Sequence, residues 1–93
     1  MESNALFDRH LAQTTPYPIG LEIERAEGIY LYTPEGKRYM DLISGVGVSA
    51  LGHGNPEVRA AIKHQVDQHM HVMVYGEYLQ SAQSQAATSL TRL

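Results

Sequence analysis

Four glycines fall within the eleven residues Ser44-Gly45-Val46-Gly47-Val48-Ser49-Ala50-Leu51-Gly52-His53-Gly54, and this segment constrains the chain most. Glycine adopts positive φ without steric cost and lets another group come close to the backbone. The segment is therefore a close-approach loop. Asn55-Pro56-Glu57 comes directly after it. That triplet is a helix start: an N-cap, a proline at the first helical position and an acid in the first turn. Arg38 to Ile43 precedes the loop and reads as a strand. From Gly28 to Asn55 the chain is organised as sheet, glycine loop, helix.

The flanking sequence supplies the remaining elements. Ser3 to Thr14 reads as a short helix with Ser3 as N-cap and Leu6, Phe7, His10 and Leu11 on one face. Thr15-Pro16-Tyr17-Pro18 stops it and forms an extended connector. Ile19, Leu21 and Ile23 alternate with Gly20, Glu22 and Glu24, the period of a half-buried strand. Ala26-Glu27-Gly28 is the expected hairpin loop. Ile29 and Leu31 then face one way, with Tyr30 and Tyr32 the other, as in the central strand of a meander. Thr33-Pro34-Glu35-Gly36 fits a type I turn.

After the loop, Val58, Ala61, Ile62, Val66, Met70 and Met73 recur at steps of three and four, which predicts an amphipathic helix from Pro56 to about His69. Val72 to Gly76 is a break. A second helix is expected from about Glu77 or Leu79, striped by Leu79, Ala82, Ala86, Leu90 and Leu93. The predicted fold class is α+β: a short N-terminal helix, a three-stranded antiparallel meander and two helices.

Composition excludes several function classes. Seven Lys and Arg stand against ten Asp and Glu, a net charge of -3. Nucleic-acid and anionic-membrane surfaces need clustered positive charge, and here the basic residues are scattered, so neither partner is expected. There is no cysteine in the 93 residues. A secreted domain this small usually carries disulfides, so a reducing cytoplasm is the expected compartment. MESNALFDRH has no apolar run and is no signal peptide. No stretch has the length to cross a bilayer. The helical pattern still runs at Leu93 without a C-cap signal, so the chain is expected to be a piece of something longer.

Few side chains are placed for chemistry. Lys37 and Lys63 are the only lysines. One lies past a turn and the other on a polar helix face, both solvated positions. The glycine loop lacks the G-x-G-x-x-G spacing of a dinucleotide fingerprint. Its helix could offer free N–H groups at Asn55 to Val58 to an anion, but a structural loop under a neighbouring domain is the plainer reading. His69 and His71 are two apart and point to different helix faces, so they do not chelate together. His53 sits between glycines, His10 lies on an apolar face, and no third ligand falls at metal spacing. Glu22, Glu24 and Glu27 read as a solvated edge. Tyr30 and Tyr32 read as core or interface aromatics. Tyr75 and Tyr78 fit a core and a site equally.

The block GIYLYTPEGKRYMDLISG, then LGHGNPEV and the helix AAIKHQV, closely resembles the N-terminal region of class III aminotransferases. These are fold-type-I pyridoxal-phosphate (PLP) enzymes that include acetylornithine, ornithine and 4-aminobutyrate aminotransferases. The resemblance covers about Tyr17 to Leu93. It implies a parent α/β enzyme, a homodimer, that moves an amino group between an amino acid or ω-amino compound and a 2-oxo acid. It implies that residues 1–18 are an N-terminal helix and connector. Residues 19–75 would be the small-domain meander, loop and helix, and 76–93 the start of the large cofactor-binding domain. Matched residue by residue, it places Ser44, Gly45, Val46 and Gly47 on the substrate side of the active site. Tyr75 and Tyr78 are its candidate active-site aromatics. The family's cofactor lysine, pyridine-pairing acid and phosphate loop come later than Leu93, so the resemblance implies that PLP and the rest of the enzyme chain are partners of this segment, which alone is inactive. The competing class is a stand-alone module that dimerises through its helix stripes and performs no chemistry.

Overall fold

The computed structural model describes residues 2–73 and 75–93, the first three of them by backbone alone. Seven elements succeed one another: α1 (Glu2–His10), β1 (Arg25–Glu27), β2 (Tyr30–Tyr32), β3 (Arg38–Met40), α2 (Ser44–Gly47), α3 (Pro56–Gln68) and α4 (Ser81–Thr91). The strands form an antiparallel meander in the order β1-β2-β3. The chain divides into two compact units, 1–60 and 61–93.

The meander is the expected one, but its first strand lies elsewhere. Ala26 and Glu27 belong to β1, and residues 19–23, expected to pair, lie outside every strand. The turn decides this. Glu27 pairs with Tyr30, so the hairpin loop is only Gly28-Ile29, with Gly28 at φ +59. A glycine-first two-residue loop matches the twist of a hairpin. Register then counts back from it: Ala26 opposite Leu31, Arg25 opposite Tyr32. The last bond of this ladder runs from the Glu24 N–H to the Tyr32 carbonyl, 2.9 Å. At Thr33 the chain turns away, so Ile19 to Ile23 have no strand to bond.

That second turn is the predicted one. The Gly36 N–H donates to the Thr33 carbonyl at 2.9 Å, and Gly36 takes φ +82. Thr33 is the one buried residue among those described. Its hydroxyl also accepts the Lys37 N–H, 3.2 Å, which fastens the start of β3. β3 ends at Met40 rather than Ile43, because its partner β2 begins at Tyr30, opposite Met40.

The helices also differ at their ends. α1 stops at His10 instead of Thr14, and Ser3 lies inside it rather than at its N-cap. The Thr15 hydroxyl accepts the Tyr17 N–H, a local turn bond that competes with helix. α3 is as expected: Asn55 Oδ1 accepts the N–H groups of Glu57 and Val58, at 3.1 and 3.2 Å. α4 starts at Ser81, later than expected. Gln80 is extended, φ -119 and ψ 118, and the chain before it turns at Tyr75-Gly76, both with φ +68. Of the expected break at 72–76, Val74 lies outside the described residues.

One face of the meander carries cations on aromatics. The Arg25 guanidinium stacks 3.6 Å from the Tyr32 ring centre and that of Arg38 4.2 Å from Tyr30. Such pairs contribute roughly 0.5–1 kcal/mol each where exposed. Beside the sheet, an open apolar groove of about 770 Å³ is lined by Phe7, Pro18, Leu21, Ile23, Leu31 and Tyr39. No hydrophobic side chain among the described residues is buried. Leu42, Met70 and Leu79 are each more than four-fifths exposed.

Exposed apolar surface on this scale marks interfaces. The isolated 93-residue chain is expected to self-associate or to fold only in part. Light scattering at rising concentration checks this; a compact, stable monomer would contradict it.

Candidate functional site

Segment 41–53 leaves the sheet at the end of β3 and returns to it before α3. Both of its ends are fastened to the β1–β2 hairpin tip. The Asp41 N–H donates to the Ile29 carbonyl at 2.7 Å. Gly28 and His53 exchange two backbone bonds, Gly28 N–H to His53 O at 2.9 Å and His53 N–H to Gly28 O at 2.7 Å. Their approach requires Gly52, where a Cβ would lie 3.0 Å from the Gly28 carbonyl oxygen. The side chains then close the base: His53 Nε2 is 2.6 Å from Asp41 Oδ2. A loop with touching ends, closed on its own side chains, is an Ω-loop, a type frequently functional.

Asp41 also directs the residues after it. Its Oδ1 accepts the N–H groups of Ile43, 2.9 Å, and Ser44, 3.1 Å. Asp side chains favour turns because they bond their own backbone two residues on. The chain passes from Ile43, φ -92, into four successive positive φ values: Ser44 55, Gly45 60, Val46 60 and Gly47 82. It leaves again at Val48, φ -88. α2 is therefore a left-handed turn. The N–H groups of Val48 and Ser49 converge on the Ser44 carbonyl, both at 2.9 Å, and hold it closed.

Two of these four residues are not glycine. Left-handed backbone costs an L-residue about 1–2 kcal/mol. It is least expected of a β-branched side chain, and Val46 is 88 % exposed, so packing does not compensate it. Backbone held in such regions clusters at active sites and ligand clamps. Beneath the loop, a cleft of about 150 Å³ is lined by Ile29, Asp41, Ser44, Ser49 and His53. That is below the roughly 300 Å³ of a small-molecule pocket. The cleft is the seam of the loop.

The electrostatics sit at the base. The Asp41 side chain is 9 % exposed and that of His53 20 %. The hydrogen bond from His53, then those from the Ile43 and Ser44 N–H groups, hold the Asp41 carboxyl below the usual carboxylate range.

The sequence-derived candidates are thus distributed unevenly. Ser44, Gly45, Val46 and Gly47 form one contiguous strained turn. Tyr75 and Tyr78 lie in unit 61–93, at 90 % and 54 % exposure. Lys37 is exposed with its Nζ 5.3 Å from the Tyr39 ring centre, and Lys63 is exposed on α3. Among the described residues, no three His, Cys, Asp or Glu side chains gather to hold a metal. Sequence reading missed Asp41, taken as a strand residue, and the role of His53. Their signal was a carboxylate and an imidazole twelve residues apart, one at each end of a glycine loop.

Residues 12–93 match the family model Aminotransferase class-III. The chain belongs to the class-III aminotransferases. It is 50 % identical over 48 residues to an acetylornithine aminotransferase of Aquifex aeolicus, spanning 52 % of this chain and 13 % of that protein. A succinylornithine transaminase of Yersinia pseudotuberculosis is 42 % identical over 66 residues, 71 % of this chain and 16 % of its own. Among solved structures, a taurine:2-oxoglutarate aminotransferase of Bifidobacterium kashiwanohense, in complex with PLP and glutamate, superposes with TM-score 0.84 at 32 % identity. The match covers 98 % of this chain and 20 % of that one. The chain thus spans between one-eighth and one-fifth of the length of these relatives. The fold of this segment is that of the transaminases.

The Asp41 carboxyl makes stability depend on pH. Its folded-state pKa is lowered, so its ionised form favours the fold. That contribution is complete above the unfolded value of about 4 and disappears as pH falls through the lower folded value. In the full-length protein, the Tm gap between wild type and Asp41→Asn should be widest above about pH 5 and narrow below about pH 4. A gap constant across that range would show that the Asp41 charge contributes nothing.

Proposed function

We propose that the protein carrying this chain is a PLP-dependent aminotransferase that moves an amino group from an amino acid or ω-amino compound to a 2-oxo acid. The turn Ser44–Gly47 lines the substrate side of its site. The observation that carries this reading is the left-handed turn itself: a strained backbone segment, fastened at both ends, in a chain that matches class III over residues 12–93. The exposed backbone of a glycine-rich turn suits a small polar substrate, because the space beside Gly47 is open.

The cofactor, when bound, supplies the electron sink for the reaction. The residues present do not by themselves fit it. A cofactor lysine needs a desolvated or cationic pocket to lower its pKa, and both lysines here are exposed. PLP is accordingly held by the remainder of the enzyme chain, and residues 1–93 alone are inactive. Within the whole enzyme, residues 1–18 serve as helix and connector, 19–75 belong to the small domain and 76–93 begin the large one. Tyr75 or Tyr78 is the enzyme's candidate active-site aromatic. The enzyme is a cytoplasmic homodimer, and the apolar groove and helix stripes are covered in that assembly. The donor is one of the class that the relatives' names span: acetylornithine, succinylornithine or taurine, with 2-oxoglutarate as acceptor.

Three measurements test this reading. Full-length enzyme is assayed against those donors, which identifies the preferred one. Gly47→Phe should then lower kcat/KM by about a hundredfold with PLP absorbance retained, the scale expected when reacting groups are misplaced by about 1 Å. Gly47→Ala is the control. Space around its Cβ is open and φ is +82, so it adds backbone strain without bulk; a stability loss of about 1–2 kcal/mol with most activity kept is expected. Normal kcat/KM in Gly47→Phe would remove the loop from the site. Separately, residues 1–93 mixed with PLP and gel-filtered should retain no stoichiometric yellow species and show no amino transfer. One PLP per chain, lost in Lys37→Ala or Lys63→Ala, would overturn the assignment of PLP to the rest of the enzyme.

A further inference from the structure

We propose that Asp41 and His53 are positioning residues for this amino transfer: together they fix Ser44–Gly47 in the one conformation that the substrate meets. The proposal rests on the reading that this turn lines the substrate side, and it names the groups that set the turn's geometry.

The turn's own bonds, from the Val48 and Ser49 N–H groups to the Ser44 carbonyl, close it but do not set its entry. Ser44 and Val46 both prefer right-handed backbone, and neither is sterically required to be left-handed. The entry to the turn is set by the two N–H groups, Ile43 and Ser44, that both converge on Asp41 Oδ1. Converging backbone N–H groups form a concavity that favours an anion, and the Asp41 carboxylate fills it. A carboxylate on its own is a loose holder, because its terminal torsion is broad. Here the other oxygen is engaged by His53 Nε2 at 2.6 Å. His53 in turn is fixed by its two backbone bonds to Gly28. The chain of constraint therefore runs from the hairpin tip through imidazole and carboxylate to the turn.

Neither side chain is placed to touch substrate. Asp41 and His53 are mostly covered at the base of the loop, whereas Gly45, Val46 and Gly47 are exposed. Their influence on the reaction must pass through the backbone of 43–47. Removing either should loosen the turn, weaken the productive pose and leave the cofactor, held elsewhere, unaffected.

The experiment uses the full-length holoenzyme and the donor identified by the panel above. Asp41→Ala and His53→Phe are each expected to lower kcat/KM at least tenfold, more through KM than kcat, with PLP absorbance unchanged. Asp41→Asn keeps an oxygen for the Ile43 and Ser44 N–H groups and should recover most of the Asp41→Ala loss. Because both residues act through one contact, the double variant Asp41→Ala/His53→Phe should be no more than about threefold worse than Asp41→Ala. Fully additive losses, or kcat/KM within twofold of wild type in both single variants, would overturn the proposal. Loss of PLP absorbance in both Asp41→Asn and His53→Phe assigns the pair to general stability and also overturns it. Gly47→Phe separates the two levels. An inactive Gly47→Phe beside normal Asp41→Ala and His53→Phe sinks the positioning role and leaves the loop in the site. An active Gly47→Phe removes the loop reading, and the positioning role with it.

Discussion

A single aspartate joins three parts of the structure. Asp41 directly follows β3, bonds through its backbone to the hairpin tip at Ile29, and receives Ile43, Ser44 and His53 on its carboxylate. Each bond is ordinary in strength, and a charged acceptor strengthens it. Their value lies in convergence. The sheet supplies a fixed origin, and the carboxylate transfers that origin to a turn that local preference would not form.

The sheet suits this task despite its small size. Its strands are three residues each, too short for a two-stranded hairpin to be stable alone. Arg25 and Arg38 stacked on Tyr32 and Tyr30 cover one face without demanding a partner. The opposite side borders the open apolar groove. The segment is thus finished on one side and open on another, and the relatives that it matches are about four to five times as long.

What the sequence revealed depended on whether the deciding signal was local. The α3 start was legible because Asn55, Pro56 and Glu57 each act within one turn, and the structure keeps all three roles. The Thr33–Gly36 turn was legible for the same reason. The first strand was misplaced because alternation at Ile19, Leu21 and Ile23 reports an extended chain, while pairing is decided by turn position. Gly28 moved the start of the turn by two residues and every partner with it. For the candidate site, glycine density revealed a close-approach loop, and resemblance assigned it to substrate. Its left-handed sense was hidden, since Ser44 and Val46 carry no local preference for it. So was its anchor, which depends on two side chains meeting across twelve residues.

Fastening the loop only at its ends has a further effect. The bonds at Asp41 and His53 are indifferent to the residues between them, apart from the two N–H groups that Asp41 collects. Closing a loop costs only about 0.6 kcal/mol more for each doubling of its length. Residues 45–51 therefore behave as a cassette on a standard socket. Their length and side chains can vary while the sheet, the turn's entry and the start of α3 stay in register. A scaffold of this kind lets the loop's sequence drift without rebuilding the fold that presents it.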